Sequence, residues 1–130
     1  MLASLVLAAL SSGVVCVAPT VAVPAHEPRV TRGPTELVAG LYMQGGAFIP
    51  GCPQQPRGPY AGTLTATNVR TGRVAARVTR HRSGRLFVVA LAPGTYSVNA
   101  TTSGGLRTVP ATVTIRSHRT VRQDVFADVP

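Results

Sequence analysis

Arginine is the residue type in this chain whose spacing most clearly indicates a binding site, in this case for anions. Six arginines lie between positions 70 and 85, where the pattern also predicts a β-hairpin. A guanidinium group binds phosphate or carboxylate through two parallel hydrogen bonds. On such a hairpin several of these side chains would project near the turn. The candidate anion-binding residues are Arg70, Arg73, Arg77, Arg80, Arg82 and Arg85. The alternative is a solvated hairpin whose charges discourage edge-to-edge aggregation.

The overall charge points to the same class of partner. Thirteen basic residues, every one of them arginine, face four acidic residues, and the formal net charge is +9. Such a balance favours polyanions such as nucleic acid, teichoic acid or an anionic membrane surface. Aromatic residues make up only 5% of the chain, too few to supply stacking platforms for bases. An anionic envelope polymer is therefore preferred over nucleic acid. The alternative is that arginine merely reflects a GC-rich genome.

A second candidate surface is rich in hydroxyl and amide groups. Alternate positions of three predicted strands carry such side chains, which places them on one side of each strand. They are Thr63, Thr65, Thr67, Ser97, Asn99, Thr112 and Thr114. This pattern predicts a face that could bind glycans, although threonine also suits any exposed sheet surface and the chain has no tryptophan.

Catalytic groups do not converge in the sequence. No acidic residue occurs between positions 37 and 123, which disfavours chemistry by paired carboxylates. The three histidines lack metal-ligand spacing. Ser117, His118 and Asp124 lie close in sequence, but neighbouring strand residues point to opposite faces and do not form a nucleophile–histidine–acid set. The sequence predicts a protein that is not an enzyme and uses no metal or cofactor.

The amino-terminal region predicts export. Residues 1–25 carry no charged side chain, and residues 2–10 (LASLVLAAL) form an apolar run of signal-peptide length. Residues 23–25 offer a cleavage site before His26. We therefore expect a secreted or envelope-associated protein whose membrane contact, if any, is this segment. The alternatives are lipidation at Cys16 and an uncleaved anchor. After cleavage Cys52 would be the only cysteine, either free or in an intermolecular disulfide.

Period-two alternation predicts the elements that hold these surfaces. Residues 26–60 form a proline- and glycine-rich lead-in with one strand, and residues 61–130 form the core domain. The seven predicted strands span 36–42, 62–69, 73–80, 85–91, 95–101, 109–115 and 119–129. No segment has helical periodicity, so the fold class is an all-β, seven-stranded, two-sheet sandwich of the general immunoglobulin-like kind. The predicted core includes Leu64, Ala66, Val74, Ala76, Val78, Phe87, Val89, Leu91, Tyr96, Val98, Ala100, Val109, Ala111, Val113, Ile115, Val121 and Val125.

Several of these segments resemble one family. Residues 62–67 (GTLTAT), 84–87 (GRLF) and above all 91–98 (LAPGTYSV) resemble carboxypeptidase regulatory-like domains, which share the transthyretin-like sandwich. Residues 51–53 (GCP) and 59–62 (PYAG) resemble the lead of small exported bacterial members. The resemblance implies a non-catalytic accessory or surface module. The chain lacks the lysine needed for the isopeptide crosslink of some relatives, and its 80–83 turn (RHRS) lacks acidic calcium ligands.

These observations predict a non-catalytic accessory module of the cell envelope or the extracellular space. Its partner would be an anionic envelope polymer, bound by the arginine-rich hairpin, or another surface protein. Two alternatives remain open: a carbohydrate-binding module that uses the threonine face, and a structural spacer without a discrete ligand.

Overall fold

The computed structural model describes residues 24–45 and 56–129, and these residues form strands and loops without a helix. The all-β prediction is therefore confirmed for the described residues. Their strands, in chain order, are β1 (Arg29–Arg32), β2 (Glu36–Ala39), β3 (Leu41–Gly45), β4 (Gly62–Asn68), β5 (Val74–Arg80), β6 (Phe87–Ala90), β7 (Gly94–Thr102), β8 (Ala111–Ile115), β9 (Arg119–Arg122) and β10 (Val125–Val129).

The strands form two four-stranded sheets and one two-stranded pair. Sheet I has the order β1-β9-β2-β6, and sheet II has the order β5-β4-β7-β8. The pairs β2–β9 and β3–β10 are both parallel. The second pair therefore continues the first beyond a break at Gly40, with β3 following β2 and β10 following β9. Sheet II is antiparallel throughout its three strand pairs. The result is a β-sandwich-like arrangement with sheet I extended at one end.

Side chains from both sheets meet in one hydrophobic core. In β4, Leu64 and Ala66 point inward while the threonines between them point outward, as the alternation predicted. Phe87 of sheet I is fully buried and belongs to the same cluster as residues of sheet II. The largest fully buried apolar side chains are Phe87, Leu37, Leu41, Leu64, Ile115, Val98, Val113, Val121 and Val125. These contacts hold the two sheets face to face.

Two predicted core residues are exposed instead. Val74 is 50% exposed because the register shifts between Ala66 and Thr67, so that Val74 pairs with Thr67 on the outer side. A one-residue shift moves a side chain to the opposite face of a strand. Val109 is 58% exposed and precedes Pro110, outside the first paired residue of β8. Proline interrupts the alternation there.

The predicted count of seven strands is not confirmed, because two predicted strands are each interrupted and one strand was overlooked. The predicted strand 36–42 divides at Gly40 into β2 and β3, and the predicted strand 119–129 divides at residues 123–124 into β9 and β10. Val121 and Val125 are both buried, as predicted, while Phe126 is buried on the other side against His26, with the ring centres 3.9 Å apart.

The overlooked strand is β1, which lies in the predicted lead-in and pairs antiparallel with β9. All four of its residues are exposed, so no burial pattern marks it in the sequence. The described part of the chain starts at Pro24, and the next residue, Ala25, is buried. The predicted signal segment up to residue 23 and both cysteines lie outside the described residues. Within those residues there is no helix of the length and hydropathy that a bilayer crossing requires.

Candidate functional site

The outer surface of sheet II is a continuous polar face. Thr63, Thr65 and Thr67 point outward from β4 because their neighbours Leu64 and Ala66 fill the core. Across the β4–β7 ladder their partners are Thr101, Asn99 and Ser97 respectively. Residues paired across two antiparallel strands project to the same side of the sheet. The polar residues of β4 and β7 therefore form one surface.

The same face extends to both edge strands of sheet II. On β8, Thr112 pairs with Ser97 and Thr114 pairs with Thr95. On β5, Thr79 pairs with Thr63, and their hydroxyl oxygens lie 2.9 Å apart. The structure thus brings all seven predicted glycan-face residues onto one face, which we call the threonine face. It comprises Thr63, Thr65, Thr67, Thr79, Thr95, Ser97, Asn99, Thr101, Thr112 and Thr114.

The six candidate arginines are distributed along β5 and its flanking loops. Only Arg70 and Arg73 flank the β4–β5 turn. That turn is held by the side-chain oxygen of Asn68, which accepts hydrogen bonds from the backbone N–H groups of Arg70 and Thr71 at 2.9 and 3.2 Å. Asparagine commonly bonds to the backbone in this way and fixes a turn. The two arginines are therefore carried by an ordered turn.

The remaining candidates lie away from that turn. Arg77 is in the middle of β5, paired with Thr65, and joins the threonine face. Arg80 ends β5, and the exposed residues Arg82 and Arg85 belong to the connection that leads to sheet I. The seven residues of β5 separate the two ends by about 23 Å, given about 3.3 Å per strand residue. The six arginines do not converge on one ligand group.

A further arginine joins the threonine face from the opposite side. Arg107 forms an isolated antiparallel bridge with Thr101, which places it in the same cross-strand row as Thr63. It follows the turn of residues 103–105 and is exposed. Sequence reasoning missed Arg107 because nothing in a loop after two glycines indicates which strand it meets. The threonine face is thus flanked by one guanidinium group at β5 and another at the far side of β7.

A groove lies between the edge strands of the two sheets. It has a volume of about 430 Å³, and its walls come from the β1 edge of sheet I and the β8 edge of sheet II. The lining residues are Pro28, Val30, Thr112, Thr114, Arg116 and Arg119. Sequence reasoning missed this groove because β1 itself was not predicted. It combines two guanidinium groups and two hydroxyls with an apolar wall.

One buried carboxylate organises the break in sheet I. Asp124 is 1% exposed, and its oxygens accept hydrogen bonds from the backbone N–H groups of Ala25 and Gly40, each at 2.6 Å. The guanidinium of Arg122 donates two more, from Nε at 2.8 Å and from Nη2 at 3.0 Å. Both oxygens are thus occupied by structural donors, which gives Asp124 a role in folding.

Ser117 and His118, which lie close to Asp124 in sequence, make no hydrogen bond to its carboxylate among the described residues. His118 lies in the exposed turn between β8 and β9, and its backbone N–H donates to the Thr35 hydroxyl at 2.8 Å. The three residues do not form a catalytic set in this structure.

The groups around Asp124 also influence one another's ionisation. Burial, with a further contribution from the negative charge of Asp124, raises the pKa of Tyr42 above 10.0, against a lowering effect of Arg122. Burial lowers the pKa of Arg122, but its hydrogen bonds and charge interaction with Asp124 outweigh this effect and leave the pKa raised. Arg122 is therefore a permanent cation that compensates the buried carboxylate.

In residues 24–45 and 56–129, no three histidine, cysteine or acidic side chains come together as metal ligands would. Comparison of the chain with protein-family models, curated proteins and solved structures finds no match. The candidate sites therefore remain the threonine face with Arg77 and Arg107, and the groove between β1 and β8.

Proposed function

We propose that this chain is a non-catalytic binding module that holds an anionic polymer, of the teichoic acid type, on the threonine face of sheet II. One observation carries the proposal: ten hydroxyl and amide side chains share this face with Arg77 and Arg107, and no acidic residue is paired into it. Hydroxyl and amide groups bond to phosphate and sugar oxygens, and the guanidinium groups supply the opposite charge.

The charge of the whole chain supports this choice of ligand. The formal net charge is +9, and Asp124, one of only four acidic residues, is buried and paired with Arg122. Long-range attraction therefore acts on any polyanion that approaches the surface. Because each exposed contact is weak, affinity would come from several repeating units of one polymer bound at once.

Export and family membership belong to the same proposal. The uncharged, apolar start of the chain supports export to the envelope or beyond it. The 91–98 segment supports a carboxypeptidase regulatory-like sandwich: β7 starts at Gly94, and the hydroxyl of Tyr96 donates back to the carbonyl of Ala92 at 2.6 Å. A non-catalytic accessory role is what that resemblance implies.

The test is retention of the folded protein on an immobilised teichoic acid column, developed with a salt gradient. The variant R77Q/R107Q removes both flanking cations of the threonine face. The matched control R82Q/R85Q removes the same charge from the exposed β5–β6 connection. We expect R77Q/R107Q to elute at clearly lower salt than the control, because this variant loses two contacts to phosphate. The same loss should make the affinity less dependent on salt concentration. Equal elution of the two variants would refute binding at this face.

A neutral glycan is the second candidate ligand, and the shared outward direction of the hydroxyl and amide side chains of β4, β7 and β8 supports it. It differs from an anionic polymer in its response to salt. Binding of an uncharged polysaccharide that persists at high salt and is lost in T65V/N99A would favour this candidate. Retention that disappears at moderate salt would favour the anionic polymer.

A further inference from the structure

We propose that the groove between β1 and β8 binds an extended acidic peptide segment, which adds as an extra strand to the edge of β8. This inference concerns the edge of β8 and the groove beside it, which shares Thr112 and Thr114 with the threonine face but neither Arg77 nor Arg107, and it goes beyond the proposed polymer binding. The partner is defined by its chemistry: an extended chain that carries carboxylates and an apolar side chain.

The strand order supplies the first argument. β1 is the last strand of sheet I and β8 is the last strand of sheet II, so among the described residues each has a strand partner on one side only. The unpartnered side of an edge strand presents backbone donors and acceptors that another extended chain can pair with. The residues of β8 are Ala, Thr, Val, Thr and Ile, without a charge to discourage such pairing.

The dimensions of the groove suit a short extended segment. β8 has five residues, which corresponds to a length of about 17 Å for a paired strand. The groove beside it holds about 430 Å³, within the range of roughly 300–1,000 Å³ that is usual for ligand sites. A segment of about five residues therefore matches the edge in length.

Charge selects an acidic segment. Arg116 and Arg119 line the groove, and Arg32 pairs with Arg119 from the neighbouring strand. The guanidinium of Arg119 is oriented by a hydrogen bond from Nη1 to the carbonyl of His118 at 3.0 Å. No carboxylate of the described residues forms an ion pair with these groups, since the one described ion pair joins Arg122 to Asp124. A carboxylate on the ligand would fill this role.

The apolar wall adds a second requirement. Val30 lines the groove and is 55% exposed, beside Pro28. Side chains two positions apart in a strand share one side, so a ligand can present an apolar residue to Val30 and carboxylates to the arginines. A second copy of this chain is a poorer occupant, because two molecules that each carry a net charge of +9 repel one another.

The test uses a fluorescein-labelled, end-capped pentapeptide probe with the sequence valine-threonine-glutamate-threonine-glutamate, measured by fluorescence anisotropy. Two further probes separate charge from backbone pairing: one replaces both glutamates by lysine, and the other is N-methylated at alternate amides. We expect each change to weaken binding by about tenfold or more, the first through lost ion pairs and the second through lost strand pairing. Equal binding of either probe would overturn the proposal.

Variants then locate the site. We expect R116Q/R119Q to bind the glutamate probe about tenfold more weakly, and R82Q/R85Q, which loses the same charge elsewhere, to change binding less than about twofold. Equal losses in the two variants would show attraction to net charge alone and would overturn the proposal. Peptide binding by R77Q/R107Q at wild-type strength, with altered polymer retention, would separate this site from the threonine face.

Discussion

The threonine face and the break in sheet I show two different ways in which this chain uses polar groups. On the threonine face, partly or fully exposed side chains repeat at every second position, and each one contacts solvent as well as its neighbours. At the break, one buried carboxylate, Asp124, receives four hydrogen bonds from three different segments. Substitutions on the threonine face should therefore change the free energy of unfolding little, whereas substitution of Asp124 at the break should lower it strongly.

The difference has a structural cause. Where β2 passes into β3 and β9 passes into β10, the parallel ladder is interrupted, and the backbone N–H of Gly40 has no strand carbonyl opposite it. Asp124 supplies the acceptor instead and binds the N–H of Ala25 with its other oxygen. A buried N–H group needs such a partner. One side chain thus joins the start of the described chain to the interior of sheet I.

Removal of this carboxylate gives the largest expected effect. Asp124→Ala would leave Arg122 and the N–H groups of Ala25 and Gly40 without their acceptor, and we expect the free energy of unfolding to fall by about 3–5 kcal/mol. Urea unfolding measures the change. The control is Asp128→Ala, which removes an exposed carboxylate that accepts from Gln44 at 2.8 Å and should cost less than about 1 kcal/mol. Similar losses in both variants would contradict the comparison.

A methyl group at Gly40 gives the next largest effect. A Cβ atom there would lie 2.5 Å from Cε1 of Tyr42 and 3.0 Å from Cδ2 of Leu86. Overpacking of this kind costs about 1–3 kcal/mol, and thermal or urea unfolding of Gly40→Ala would detect it. In the control Gly104→Ala the nearest atom is the Thr102 hydroxyl at 3.8 Å, so stability should hardly change. A Gly40→Ala protein as stable as the control would refute the close packing.

Alkaline pH should lower the stability of the protein through Tyr42, which lies beside Arg122 and Asp124 at the break in sheet I. Burial raises the pKa of Tyr42, so the folded state favours the neutral phenol. As the pH rises past about 10, the phenol of Tyr42 ionises in the unfolded chain before it ionises in the folded protein. The free energy of unfolding therefore falls as the pH rises from the unfolded-state pKa to the folded-state pKa. Urea unfolding between about pH 8 and pH 11 should therefore show a smaller alkaline loss in Tyr42→Phe than in the wild type. Parallel curves for the two proteins would contradict this role of Tyr42.

Substitution on the threonine face gives the smallest effect. Thr65→Val keeps the β-branched shape and removes only an outward hydroxyl, so the free energy of unfolding should stay within about 0.5 kcal/mol of the wild type. Urea unfolding of this variant, measured alongside Asp124→Ala, compares the stability lost on the threonine face with that lost at the break. A loss above about 1 kcal/mol would show that the face, too, is held by specific contacts.

The regular half of this comparison could be predicted from sequence, and the irregular half could not. Alternation in residues 62–67 and 95–101 is enough to separate an apolar from a polar side, and pairing of those strands then assembles the threonine face. Period-two reasoning also identified Phe87 and Val98 as core residues, and both are fully buried. Such predictions succeed where a strand has one solvent-exposed face and one face buried in the core.

The missed features depend on contacts between segments distant in sequence. The exposed strand β1 is defined by its pairing with β9 alone, and the groove beside it could not be anticipated without that strand. The burial of Asp124 depends on Ala25 and Gly40, which lie 99 and 84 positions away. The arginine cluster was dense in sequence, but an extended strand spreads its members over both ends of β5.

The hydrogen bond between the amide of Ala25 and Asp124 has a consequence for maturation. A protease that cut between Ala25 and His26, where the sequence predicts leader cleavage, would remove a buried residue together with one of the four donors to the carboxylate. A cut before Pro24 would leave that bond in place. If a leader is removed from this chain, its exact end therefore determines whether the released protein keeps its full complement of native contacts.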